Sequence, residues 1–203
     1  MFAVVTPERI HLPPGTLVKF PGNWQDYQAL VQQLGDRQIP RIKYRPGEIL
    51  LMSPLLVHGK QAHIIAMVAM VLLDYLGRDY EAFTPITMDL PEVRGIEADY
   101  CFYIDHCVAI MGKDRITWGV EPPPDLVIEV DVTSYTDVDD YLPYQVLEVW
   151  LFKKNKLRIY DLQNDRYVES LISRYFPNFN VSEIVEECWQ MSRDRHTSTV
   201  IRE

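Results

Sequence analysis

The alternation of apolar and polar positions predicts short strands arranged around one long apolar helix. Asn23 caps a helix over Trp-Gln-Asp-Tyr-Gln-Ala-Leu-Val-Gln-Gln-Leu, which Gly35 ends. Arg41–Arg45 alternates as a half-exposed strand does, Pro46-Gly47 signals a turn, and Glu48–Met52 reads as the partner strand. From His58 to Leu76, Ala62, Ile65, Val68, Ala69, Leu72 and Leu76 recur at helical spacing. Ile64, Met67 and Val71 widen the stripe, which predicts a largely buried helix ended by Gly77. Strands follow at Tyr80–Phe83, Ile86–Leu90 and Glu97–Ile104, and after three prolines at Asp125–Val132. Pro143 limits a short helix within Ser134–Gln145. Val149–Phe152, Leu157–Tyr160 and Arg166–Glu169 read as strands, and Val181–Thr199 as a closing helix. Mixed strands with helices at both ends predict an α/β or α+β fold.

A length of 203 residues suits a single domain spanning 1–203, with an N-terminal extension of about 20 residues. The hydrophobic fraction of 47% and charged fraction of 24% exclude a disordered chain. The apolar run Ile64–Leu73 is too short to span a bilayer. The first residues lack the basic n-region and cleavage site of a secretory signal. Three cysteines, an odd number, suit free thiols in a reducing cytoplasm. Twenty basic against 29 acidic residues give a net charge of −9, which excludes a protein that holds nucleic acid by bulk charge. Action on nucleic acid would need a divalent ion to offset the carboxylates, or basic residues gathered on one face.

The acids are the candidate chemistry. Side chains alternate across a strand, so Asp125, Val127, Glu129 and Asp131 share one face, with Leu126, Ile128 and Val130 on the other. Asp99, Cys101, Tyr103 and Asp105 likewise share a face. Carboxylates on apolar, central strands are costly to desolvate unless paired or bound to metal. Asp99 and Glu129, flanked by large apolar residues, are the candidate oxygen ligands for Mg²⁺ or Mn²⁺. Asp125 could be a turn residue at the strand entrance, and Asp131 could leave the sheet into solvent. Glu48, after the Pro-Gly turn, is either a surface acid or a third member of the set. Three acids from separate segments suit a metal-dependent phosphodiesterase. A glycosidase also uses two carboxylates, but the aromatic sugar platform is wanting.

The ordered segments Tyr44-Arg45-Pro46-Gly47-Glu48, Met52-Ser53-Pro54 with His58, Glu97–Ile104, Pro123–Val130 and Val146–Trp150 resemble a bacterial family of restriction endonucleases. That family was formerly a domain of unknown function and belongs to the PD-(D/E)XK nuclease superfamily. The resemblance runs from about residue 20 to 200. It implies a restriction-endonuclease-like core, a mixed β-sheet flanked by α-helices, and a Mg²⁺-type site acting on nucleic acid, expected to be DNA. Asp99 matches the aspartate of the PD element. Glu129 matches the acid of (D/E)XK, with the Val130 carbonyl as a further ligand, and Glu48 matches an acid from the first hairpin region. The resemblance also implies a homodimer, for which the apolar helix 58–76 and Trp150 offer surfaces.

Two positions depart from the motif. Ala98 replaces the proline, and Asp131 stands where the lysine belongs. From Val130 to Phe152 there is no lysine or arginine, so Lys43 and Lys60 are the candidates for a migrated catalytic lysine. The alternative is a catalytically weak or inactive member of this fold that binds nucleic acid or a protein partner. Arg41, Lys43 and Arg45, and a second cluster of Lys153, Lys154, Lys156 and Arg158, could guide a phosphate backbone or merely protect strand edges. His58 is placed to line the cleft, whereas Cys101 and Cys107 lack the partners of a zinc site.

Overall fold

Asn23 and Asp26 exchange hydrogen bonds at the start of helix α1 (Trp24–Leu34), each side chain taking the other's backbone N–H, and Gly35 closes the helix at φ +55°. The computed structural model describes residues 12–35, 40–132 and 136–202. They fall into two compact units, Met1–Leu56 with Thr87–Glu97, and Val57–Ile86 with Ala98–Glu203. The pattern along the chain conceals this division, because residues 87–97 return from the middle of the second unit to complete the first.

The first unit is a five-stranded sheet carrying α1. Its strands are β1 (Leu17–Pro21), β2 (Arg41–Arg45), β3 (Glu48–Met52), β5 (Ile86–Leu90) and β6 (Arg94–Ala98), in the order β1-β3-β2-β6-β5; β4 belongs to the other sheet. β1 lies in the stretch expected to be an N-terminal extension, and pairs with β3 from Leu17↔Met52 to Pro21↔Glu48. On β2, Ile42 and Tyr44 point inward while Arg41, Lys43 and Arg45 stay half-exposed, as alternation requires. Trp24, Tyr27 and Tyr44 form an aromatic cluster, with ring centroids 5.0 to 5.6 Å apart. The Tyr27 hydroxyl donates to Asp89 Oδ1 at 2.6 Å, and its ring lies on Gly95.

The second unit is a six-stranded sheet against helix α2 (Leu56–Tyr75). Its strands are β4 (Glu81–Phe83), β7 (Tyr100–Tyr103), β8 (Leu126–Asp131), β9 (Glu148–Lys153), β10 (Lys156–Gln163) and β11 (Arg166–Ser170), ordered β11-β10-β9-β8-β7-β4. β8 and β9 run parallel; the other neighbours are antiparallel. Ile128, Val130, Trp150 and Phe152 join Ile65, Ala69 and Leu72 of α2 and Val181 and Val185 of α4 (Val181–Met191) in one core. α2 is long and apolar enough to cross a membrane by length and composition, but it is packed as a core helix. The short helix α3 (Cys107–Ile110) follows β7, and a 3-10 helix spans Val138–Tyr144, where Pro143 and the tight turn geometry agree.

Three expectations need correction. The strand expected over Glu97–Ile104 is two strands: β6 pairs in the first sheet, β7 in the second, and Asp99 occupies the crossing. The period of two continues through the break, so the pattern could not show it. The closing helix stops at Met191, and after a polar turn α5 spans only Thr197–Val200. Finally, Trp150 is fully buried and is no surface for a second copy, whereas α2 packs one face on its own sheet and leaves Leu56, Val71 and Tyr75 exposed.

Two predictions concern the first unit. A Cβ at Gly95 would sit 2.5 Å from Tyr27 Cζ, and the buried ring has nowhere to retreat. Gly95→Ala should therefore cost about 1–3 kcal/mol, read as a lower urea midpoint. Burial raises the Glu97 carboxyl from the usual 4.5 to about 7, although Arg41, the Ile42 N–H and Lys43 oppose the rise and Asp89 adds to it. Between those two pH values the unfolded chain binds fewer protons than the folded one, so stability should fall as pH rises from about 4.5 to 7, by at most ~3 kcal/mol. Urea melts across this range should show the slope in wild type and a flatter one in Glu97→Gln.

Candidate active site

Pairing of β7 with β8 sets Tyr100 against Ile128 and Cys101 against Val127, which brings Asp99, just before β7, beside the middle of β8. Asp99 Oδ2 accepts the Val130 N–H at 2.8 Å, and Oδ1 lies 2.7 Å from His58 Nε2 on α2. Its own carbonyl accepts the Thr84 hydroxyl at 2.9 Å, which fixes the backbone at the crossing. Glu129 Oε1 accepts the hydroxyl of Tyr141, from the 3-10 helix. Asp99, Glu129, His58 and Tyr141 are all buried. Two carboxylates thus stand in a dry site, each held by donors that lower the cost of desolvation. Tyr141 keeps its proton: burial pushes its pKa well up, and the negative charges of Glu129, Asp99 and Asp140 push it further. Tyr141 and the buried Asp140 were not singled out from the sequence, where the only sign of them is an acidic segment following the strand.

The next acid along β8 has a different partner. Asp131 does not leave the sheet into solvent; its side chain is wholly buried. The parallel register sets Asp131 opposite Lys153 on β9, and Lys153 Nζ lies 2.8 Å from Asp131 Oδ2. Lys153 is the first basic residue after the interval from Val130 to Phe152 that has none. Along the chain it belongs to the cluster of Lys153, Lys154, Lys156 and Arg158, whereas strand pairing carries it to the acidic strand.

The remaining candidates have contacts of their own. Lys60 donates to the Ser192 carbonyl and stands over the Trp189 ring, 5.9 Å from its centre. His58 and Lys60 are two apart on one helix and therefore face different ways. Lys43 belongs to the first unit, beside Glu97. Glu48 is ion-paired with Lys19 on β1, in the same unit. Asp125 is a turn residue: Oδ2 accepts the Ile104 and His106 N–H groups at 2.6 and 3.0 Å, and Oδ1 lies 2.7 Å from His106 Nδ1. Cys101, Cys107 and Cys188 are free.

Among the described residues no three His, Cys, Asp or Glu side chains converge as a metal cage. The candidate donors, the Asp99 and Glu129 carboxylates and the Val130 carbonyl, are all hard oxygens. That set matches Mg²⁺ or Mn²⁺, which take one or two carboxylates and complete their shell with water. It does not match a structural zinc site.

Removing the Tyr141 hydroxyl tests how far the site is held by its own hydrogen bonds. Tyr141→Phe keeps the ring and deprives a buried carboxylate of a donor, so it should lower stability by about 1–3 kcal/mol in urea denaturation at neutral pH.

Similarity to known proteins agrees with this arrangement. The family model described as "Putative restriction endonuclease" (Uma2) matches residues 24–194. A crystal structure of a putative nuclease belonging to DUF820, from Anabaena variabilis, superposes with a TM-score of 0.57 at 15% identity, covering 83% of this chain and 99% of the other. At that identity the likeness shows the fold. No curated protein matches the chain. The match over most of the length identifies the chain as a member of the Uma2 family of putative restriction endonucleases, with a mixed α/β nuclease fold.

Proposed function

We propose that the protein is a metal-dependent endonuclease that hydrolyses nucleic-acid phosphodiester bonds at the Asp99–Glu129 centre, with DNA as substrate. The observation that supports this reading is the burial of two carboxylates, Asp99 just before β7 and Glu129 on the paired strand β8, one held by His58 and the Val130 N–H, the other by Tyr141. Asp99, Glu129 and the Val130 carbonyl are the residues that would hold Mg²⁺ or Mn²⁺. Such an ion, when bound, supplies positive charge to the phosphoryl oxygens and acidifies water. In the hydrolysis, the water oxygen joins phosphorus, the bond from phosphorus to the leaving sugar oxygen breaks, and a proton passes to that oxygen. This chain's residues contribute orientation. His58 and Val130 fix the plane of the Asp99 carboxylate, and Tyr141, kept protonated, fixes Glu129. Glu48, which the family resemblance adds to the acids of the site, is ion-paired with Lys19. A homodimer in which two centres cut the two strands of a duplex belongs to the same proposal; a monomeric mass by light scattering at micromolar concentration would count against it.

A second reading has an observation in its favour. Both carboxylates already have protein partners, and Asp131 stands at the lysine position of the motif. A nuclease-fold protein that binds nucleic acid without cutting it would look the same.

The deciding experiment compares wild type, Asp99→Ala and Glu129→Ala on single- and double-stranded DNA, with Mn²⁺ and with EDTA. Cleavage by wild type should require the ion, and each substitution should reduce it by at least ~10²–10³-fold. Equal cleavage by wild type and Glu129→Ala would trace the activity to a contaminant and leave the binding reading in place.

A further inference from the structure

We infer that Lys153, held by the buried carboxylate of Asp131, is the cationic group of the Asp99–Glu129 centre and contacts the phosphate of the substrate. The inference rests on reading that centre as a phosphodiester hydrolase. Hydrolysis places extra negative charge on the phosphoryl oxygens, and a site lined by acids needs a fixed cation to meet it. No lysine follows Glu129 on its own strand. The parallel ladder provides one from the side. Glu129 pairs with Leu151 and Asp131 with Lys153, so all four side chains emerge on one face of the sheet. Lys153 Nζ lies 2.8 Å from Oδ2 of Asp131, the residue two beyond Glu129 on that face.

The burial of the two partners is unequal. The Asp131 side chain is 0% exposed, and that of Lys153 is 31% exposed. An ion pair with a buried member is a poor source of stability compared with an apolar pair, because desolvating the carboxylate costs much of the attraction. Such a pair does fix the ammonium in place. Lysine has three N–H donors, and an ammonium held by the charge of Asp131 can turn them toward a phosphate. A cavity of about 240 Å³ at the carboxyl ends of β8 and β9, lined by Gln61, Phe152, Lys154 and Asn155, reaches Asp131, and the part-exposed Lys153 stands beside that carboxylate. Asp131 acts through Lys153 and is a positioning residue. In this geometry Asp131→Lys alone would set two ammonium groups against each other.

The test uses the full chain and four variants: Lys153→Met, the exchange Asp131→Lys/Lys153→Asp, the neutral double variant Asp131→Asn/Lys153→Met, and Lys113→Met as a control. Lys113 is half-exposed and paired with Glu121. Two quantities are measured: Mn²⁺-dependent cleavage of duplex DNA, and affinity for a fluorescent duplex in EDTA as salt is varied. Lys153→Met should slow cleavage by ~10²–10³-fold. It should also reduce the salt slope of binding by about one, the signature of one lost phosphate contact. The exchange restores a lysine on the same face beside an aspartate, and should recover at least ~10-fold of the lost rate, which a purely structural role would not explain. The neutral double variant leaves no buried charge alone, so it carries the test if Lys153→Met does not fold, and should be as slow. Wild-type rate and salt slope in the folded Lys153 variants would overturn the assignment of Lys153 while the centre stands. A wild type without Glu129-dependent cleavage would overturn the reading of the centre, and this inference with it.

Discussion

A carboxylate taken out of water must be matched by a donor or a cation, and on β8 this requirement recurs along a single strand. Asp125, Glu129 and Asp131 are all buried there, and Asp99 is buried beside them. Each draws in a different element. Asp125 gathers the turn after β7, Glu129 takes Tyr141, Asp131 takes Lys153, and Asp99 takes His58 and a β8 amide. The apolar face of the same strand packs into the core with α2, so the acids cannot withdraw toward solvent without moving the sheet.

This constraint ties the surroundings to the site. The crossing between sheets at Asp99 matters because it sets that residue against β8, where its carboxylate accepts the Val130 N–H. The 3-10 helix is short and contains Pro143, yet it delivers Tyr141 to Glu129. Glu148, at the start of β9, is a further instance of the rule. Burial raises its pKa, while Ser173, the Arg174 N–H and Trp150 oppose the rise by hydrogen bonding. It anchors the segment after β11 to the strand that carries Lys153.

The chain is acidic overall, so the proposed action on a phosphodiester would depend on local cations. The basic residues fall into two sorts. Arg158 and Lys156 pair with Glu169 and Glu186 at the surface, where such pairs contribute little. Lys153 pairs with a buried acid and is held in one place. Position in the sheet separates the two sorts; their spacing along the chain puts them in one cluster.

The sequence by itself determined the local elements and the chemistry available. Asn23 and Gly35 bounded α1, alternation set the faces of β2, and apolar flanks marked Asp99 and Glu129 as acids that need partners. These are short-range effects of backbone geometry and desolvation, and they can be read residue by residue. Other features depended on pairing between distant segments. The period of two runs unbroken through Asp99, so only the ladders show that the chain changes sheets there. His58 and Lys60 look equally near the site along the chain, but the helical turn sends one to Asp99 and the other to Ser192. Lys153 lies 22 residues from Asp131 in sequence, and only the parallel register of β8 and β9 brings its ammonium to that carboxylate.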